Sequence, residues 1–134
     1  MERGEGRNRS EIPDIDARIL ALDEDLAEGE LPDRTFLFNV EAYAWAILQR
    51  LRAEIFERRL EMPKSDADVF AILQRNGLLD LVEARRLRQF CEARALSSRD
   101  LGKIDVEGIR EMAGDLGWIR EILGRLSRLV DASP

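Results

Sequence analysis

Residues 34–60 read RTFLFNVEAYAWAILQRLRAEIFERRL, and the spacing of the apolar residues in this stretch decides the fold class. Phe36, Val40, Tyr43, Ala44, Ile47, Leu48, Leu51 and Ile55 recur at intervals of three, four and seven. On a turn of 3.6 residues that spacing is one wide apolar stripe. No proline or glycine interrupts it, so the pattern predicts a single long helix from about Arg34 to Leu60, with Asp33 as its cap. Basic residues gather at its end and Pro63 stops it. Phe38, Ala42, Trp45 and Phe56 fall largely outside the stripe and make a second apolar strip. A helix apolar on two sides either sits centrally in a bundle or also meets a second subunit. Tyr43, the one tyrosine of the chain, reads as core packing.

Outward from this helix, every other segment reads as helical too. Towards the N-terminus, Gly29 and Pro32 mark a break. Before it, Asp14 is placed to cap a helix from Ile15 to about Leu26, with Ile15, Ile19, Leu22 and Leu26 on one face. Residues 1–13 are polar, glycine- and arginine-containing, and read as a flexible tail. Residues 1–33 hold eleven acids against four arginines, a net of −7, which reads as a solvated acidic face or an acidic lip for a basic partner.

Towards the C-terminus, Ser65 and Asp68 form an S-x-x-D helix start, a relative of the capping box. The short helix behind it closes at Asn76-Gly77 as a left-handed cap. A further helix follows over about 78–96, with Leu81, Ala84, Leu87, Phe90 (or Cys91) and Arg94 sharing roughly one face. Asp105 is placed to cap a last helix running to about Val130. Gly108, Gly114, Gly117 and Gly124 weaken that helix by roughly 1 kcal/mol each relative to alanine, so it depends on tertiary packing. Alternating apolar patterns are absent and threonine occurs once. The expected fold is therefore all-α, an antiparallel bundle of four to five helices forming one domain over 14–134.

Composition narrows the chemistry. The 134 residues are 45% hydrophobic and 36% charged, with a net charge of −6, as expected of a soluble, helix-rich domain. No apolar run approaches the roughly 20 residues of a bilayer span, and the N-terminus lacks the apolar core of a secretory signal. A single cysteine, Cys91, excludes an internal disulfide and points to a reducing, cytoplasmic setting. The chain has no histidine, so imidazole is excluded as base, acid or metal ligand, and no metal site is expected. Phosphate-loop, dinucleotide and nucleophile-elbow patterns are missing as well, and no cofactor is expected.

One segment stands out against the acidic background. Between Arg85 and Arg99 the charges are Arg85, Arg86, Arg88, Arg94 and Arg99 against Glu92, a net of +4. Arginine suits phosphate because its planar fork donates two parallel hydrogen bonds, so these five are the candidate anion- and RNA-binding residues. The core of the segment is LRQFCEARALSSRDLGKID, residues 87–105, preceded at 62–80 by MPKSDADVFAILQRNGLLD. In order and spacing, the two stretches resemble the HepT-like branch of the HEPN ribonuclease superfamily. There the motif region reads Phe-Arg-Asn, three mostly apolar residues, His, an acid, Tyr and a Lys-Ile-Asp-like helix start. Arg94 stands at the family arginine and Asp100 at the acid. Ala95 replaces the asparagine, Arg99 the histidine and Leu101 the tyrosine.

The resemblance implies a helical protein whose active relatives pair two protomers and cleave RNA without metal. Their arginine holds the phosphate and their histidine moves protons. Arg94 and Arg99 are thus the catalytic motif positions here, but the guanidinium side chain is a poor general base near pH 7. Losing acid–base help costs typically 10²- to 10⁴-fold in rate. The family's minimal nucleotidyltransferase partner is thought to adenylylate the tyrosine, and Leu101 has no hydroxyl to modify. The resemblance therefore implies a catalytically degenerate ribonuclease that acts by binding. Its partners would be a second copy, through Phe38 and Trp45 on the long helix, a nucleotidyltransferase and RNA. Two alternatives stay open: a metal-independent RNase toxin using Arg94 and Arg99 with Asp100, and an unrelated helical adaptor.

Overall fold

The computed structural model describes residues 10–28 and 30–131. Among them are six α-helices and no strand: α1 (Ile12–Leu26), α2 (Asp33–Glu57), α3 (Asp66–Arg75), α4 (Leu81–Cys91), α5 (Val106–Ala113) and α6 (Gly117–Asp131). Two 3-10 segments, Glu92–Ser98 and Leu101–Lys103, link α4 to α5. The all-helical bundle matches the periodicity, with one helix more than expected. Among the described residues, no helix is long and apolar enough to cross a membrane.

The long helix α2 is the axis. All eight stripe residues are buried, and Val40, Tyr43, Ala44, Ile47 and Leu51 lose all solvent contact. Against them pack Ile19 and Leu26 of α1, Val69, Ile72 and Leu73 of α3, Leu87 and Cys91 of α4, and Ile119 and Leu126 of α6. Each large side chain buried this way contributes roughly 1.5–3 kcal/mol. Tyr43 sits edge-on to Phe90, with ring centroids 5.7 Å apart, and Phe90 sits edge-on to Trp118 at 6.4 Å. The core reading of Tyr43 holds. Its hydroxyl is buried without a hydrogen-bond partner, and desolvation pushes its pKa upward.

Several helix ends differ from the sequence-based expectation. The first helix begins at Ile12 with Glu11 as its cap residue, not at Ile15 with Asp14. Pro13 is tolerated in a first turn because its missing N–H has no intrahelical partner there, and Ser10 Oγ accepts the Ile12 N–H at 3.1 Å. Residues 12 and 13 are therefore helical rather than tail, and residues 1–9 lie outside the described residues. Asp33 is the first residue of α2 rather than its cap, because Arg110 holds its carboxylate at 2.9 Å. At the other end α2 stops at Glu57, three residues short of the expected Leu60. There Arg59 turns left-handed (φ 57°), while the Leu60 N–H reaches the Ile55 carbonyl and the Arg59 N–H that of Phe56. This is a Schellman closure built on a non-glycine residue. Gly77 (φ 75°) closes α3 with the same bond pattern, as Asn76-Gly77 predicts.

Ser65 and Asp105 cap as expected, accepting from the Asp68 and Gly108 amides. In place of one helix from about 78 to 96, α4 starts at Leu81 behind a full capping box of Asp80 and Glu83. Leu81, the first residue of the helix, is half exposed rather than in the core stripe. The expected last helix is two, broken over 114–116. Gly114 ends α5 and Gly117 opens α6. With glycines three residues apart a continuous helix gains little, and the break leaves Leu116 4% exposed.

A buried ion network joins α1, α2 and α6. Arg50, 1% exposed, donates to Asp16 of α1 (2.8 Å), to Glu54 (2.6 Å) and to Ser127 Oγ of α6 (3.1 Å). Glu54, fully buried, also accepts from Arg58, which donates in turn to the Leu126 carbonyl. Part of the acidic N-terminal face is thus internal counter-charge: Asp16 serves Arg50, and Asp23 serves Arg120 of α6.

Candidate functional site

The motif segment owes its position to a change of helical pitch. After Cys91 the backbone tightens into the 3-10 segment, and Ala95 leaves helical geometry (φ −112°, ψ 19°). Leu96, 4% exposed, pins the turn to the core. Ser97 fastens it to α2, donating from its N–H (2.9 Å) and its hydroxyl (2.8 Å) to the same Glu41 carboxylate oxygen. Ser98 Oγ closes on the Ala95 carbonyl at 2.7 Å, and Arg99 then leaves in extended geometry. The segment therefore lies across the first half of α2.

Two adjoining grooves result, sharing Phe38, Glu41 and Ser97 as a common wall. One, of about 480 Å³, holds Arg94 and Arg18 together with Trp45. The other, of about 340 Å³, holds Arg99 and Arg34 over Leu37, Leu96 and Ile104. Phe38 is 66% exposed and Trp45 45% exposed, so the second apolar strip of α2 faces outward beside the motif. The two motif arginines and the two aromatic residues expected at an interface thus occupy one face.

Arg94 is held in place rather than free. It donates to the Cys91 carbonyl at 2.9 Å and pairs with Asp66 at 3.0 Å. Asp66 also accepts from Arg52 at 2.6 Å. The Arg52 hydrogen bond, followed by the charge of Arg94, holds the Asp66 carboxyl below the usual carboxylate range. Arg99 is exposed and makes no ion pair among the described residues. Neighbouring Asp100 turns its carboxylate to the Gly102 amide at 3.1 Å.

The five arginines of the basic segment do not form one site. Arg86 stacks on Trp118, its guanidinium carbon 4.0 Å from the ring centroid, and lines a groove between α4 and α6 away from Arg94 and Arg99. Arg85 and Arg88 are exposed on α4 and line neither motif groove. The cause is angular, because residues 85, 86 and 88 sit on an α-helix whereas 94 and 99 follow the pitch change. Asp66, Glu41, Arg18 and Arg34 join the motif face without any sequence signal, since their distances to it in the chain are long and only packing brings them there.

Cys91, beside the motif, is buried, and desolvation pushes its thiol up to about 12. Among the described residues no group of three or more Asp, Glu or Cys side chains converges as a metal site requires. Chemically the face can hold an anion and pack a partner's apolar surface. Comparison with protein-family models, with curated proteins and with solved structures finds no match for this chain.

Proposed function

We propose that this chain is a HepT-like helical protein that has lost ribonuclease activity and acts in the cytoplasm by binding. Its partners on this reading are a second copy, a nucleotidyltransferase-fold protein and RNA. The observation that carries the reading is the shared face: the groove around Arg94 is walled by Phe38 and Trp45, and the groove around Arg99 by Phe38. A twofold contact through the outward strip of α2 brings the Arg94 and Arg99 segments of both copies to one cleft. The cleft keeps the two arginines and has no imidazole to move a proton, because the chain has no histidine.

Mass and activity test this directly. Light scattering at micromolar concentration should give the mass of a dimer, and Phe38→Ala/Trp45→Ala should give a monomer. Purified protein should cleave single-stranded RNA no faster than Arg94→Ala. A wild-type monomer removes the dimer. Cleavage that depends on Arg94 near neutral pH removes the binding-only reading in favour of an enzyme. Restoring the family residues, Ala95→Asn with Arg99→His and Leu101→Tyr, should raise cleavage towards the 10²- to 10⁴-fold expected of a returned acid–base group.

A further inference from the structure

The smaller groove differs in that no arginine lining it is paired or stacked among the described residues. In the grooves beside α6, Arg110 is paired with Asp33, Arg120 with Asp23 and Arg125 with Glu83, while Arg86 stacks on Trp118; in the larger motif groove Arg94 pairs with Asp66 beside Arg18. Arg34 and Arg99 line a common groove, and neither makes an ion pair among the described residues. The neighbouring carboxylates are held by other donors: Asp33 by Arg110, Asp100 by the Gly102 amide, and Glu41, in the groove wall, by both donors of Ser97. On a chain of net charge −6, this concavity brings together two guanidinium groups with no ion pair among the described residues. The floor beneath them is apolar, formed by Leu37, Leu96 and Ile104, with the exposed ring of Phe38 as a wall.

We propose that this groove binds an organic phosphate of mononucleotide size, with Arg34 and Arg99 on the phosphate and Phe38 against a flat ring. Its volume of about 340 Å³ lies within the range of small-ligand pockets, as does its mix of apolar lining and a few polar groups. Two planar forks suit a phosphate dianion, and an exposed aromatic face beside positive charge is a stacking platform for a base. The assignment deepens the binding reading above and rests on it in treating Arg99 as an anion-binding residue; the two share Phe38, the twofold contact lying on its Trp45 side and the ligand on its Leu37 and Arg34 side. Arg34 and Phe38 as ligand contacts come from the groove alone. A free nucleotide and the 5′-phosphate end of an RNA strand present the same chemistry.

Calorimetry on the full chain at low salt tests it, with adenosine 5′-monophosphate, adenosine and inorganic phosphate as probes. A short RNA is added in 5′-phosphorylated and 5′-hydroxyl forms. The monophosphate should bind, with adenosine and inorganic phosphate each about tenfold weaker or more. Arg34→Ala and Arg99→Ala should each weaken it by about tenfold, the loss expected for a charge-assisted contact. Phe38→Ala should weaken it about fivefold or more. A 5′-phosphorylated RNA binding more tightly than both the monophosphate and the 5′-hydroxyl strand supports the proposal with a strand end as the source. Equal affinity of that RNA and the monophosphate supports it with a free nucleotide. Overturning results are no binding of either phosphate probe, unchanged affinity in Arg34→Ala, or an equal loss in Arg88→Ala, which carries the same charge change outside the groove. Light scattering on the same samples separates the two readings. Binding by a monomer removes only the dimer, and a dimer that binds no phosphate probe removes only this site.

Discussion

Glu54→Ala should be among the most damaging single substitutions in this protein. Glu54 is fully buried and accepts from Arg50 at 2.6 Å through one oxygen and from Arg58 through the other. Truncating it strands the Arg50 guanidinium, itself 1% exposed, with only Asp16 and the Ser127 hydroxyl as partners. Breaking a buried pair from one side costs about 3–5 kcal/mol, because the remaining charge stays desolvated. Asp16 retains part of the compensation, which sets the expectation near the lower end, about 3 kcal/mol. At a urea m-value of about 1.5 kcal/mol/M, the midpoint falls by about 2 M. Asp16 is 42% exposed, so Asp16→Ala should cost under about 1 kcal/mol. Arg50→Met/Glu54→Leu removes both charges and should recover most of the loss. Urea unfolding followed by circular dichroism reads all four proteins. If Glu54→Ala costs less than about 1 kcal/mol, or if the double variant is no more stable than Glu54→Ala, the stranded-charge argument fails.

The two left-handed helix ends should respond with opposite signs. Gly77→Ala, in open space but at φ 75°, should destabilise by about 1 kcal/mol, and Arg59→Gly should stabilise by about 0.5–1 kcal/mol. Thermal melts that move both in one direction would refute this. With its thiol pushed up to about 12 by burial, Cys91 should resist thiol reagents at pH 8 and react at the rate of global unfolding in urea. Fast labelling of the native protein would contradict the buried setting. Asp66 has its pKa depressed by Arg52 and then Arg94, so its contribution is complete above the ordinary carboxylate range and is lost as pH falls through the lower folded value. Stability measured from pH 7 down to pH 2 should therefore fall less steeply in Asp66→Asn, and an identical slope would remove the pairing.

Much of the fold is written locally. The 3.6-residue period of α2, the caps at Ser65 and Asp105 and the left-handed Gly77 each depend on residues within one or two turns, so chain order carries them. The outward strip of Phe38 and Trp45 was legible for the same reason, as residues that fall off the core stripe of a long helix. Tertiary structure decided what depends on distant partners. Asp33 is drawn from capping by Arg110, seventy-seven residues away, whereas the start of α1 at Ser10 and the closure of α2 at Arg59 are local bonds that residue type alone did not flag. The split between α5 and α6 comes from how Leu116 is buried, which no helix propensity encodes. The site divides in the same way. Arg94 and Arg99 follow from their place in a sequence pattern. Asp66, Glu41 and Arg34 join them only because α2, α3 and the 3-10 segment pack together, and that packing sends Arg86 to Trp118 instead. Charge along a chain is additive, but a charged site is a matter of distance, and distance between residues 34 and 99 exists only in the folded protein.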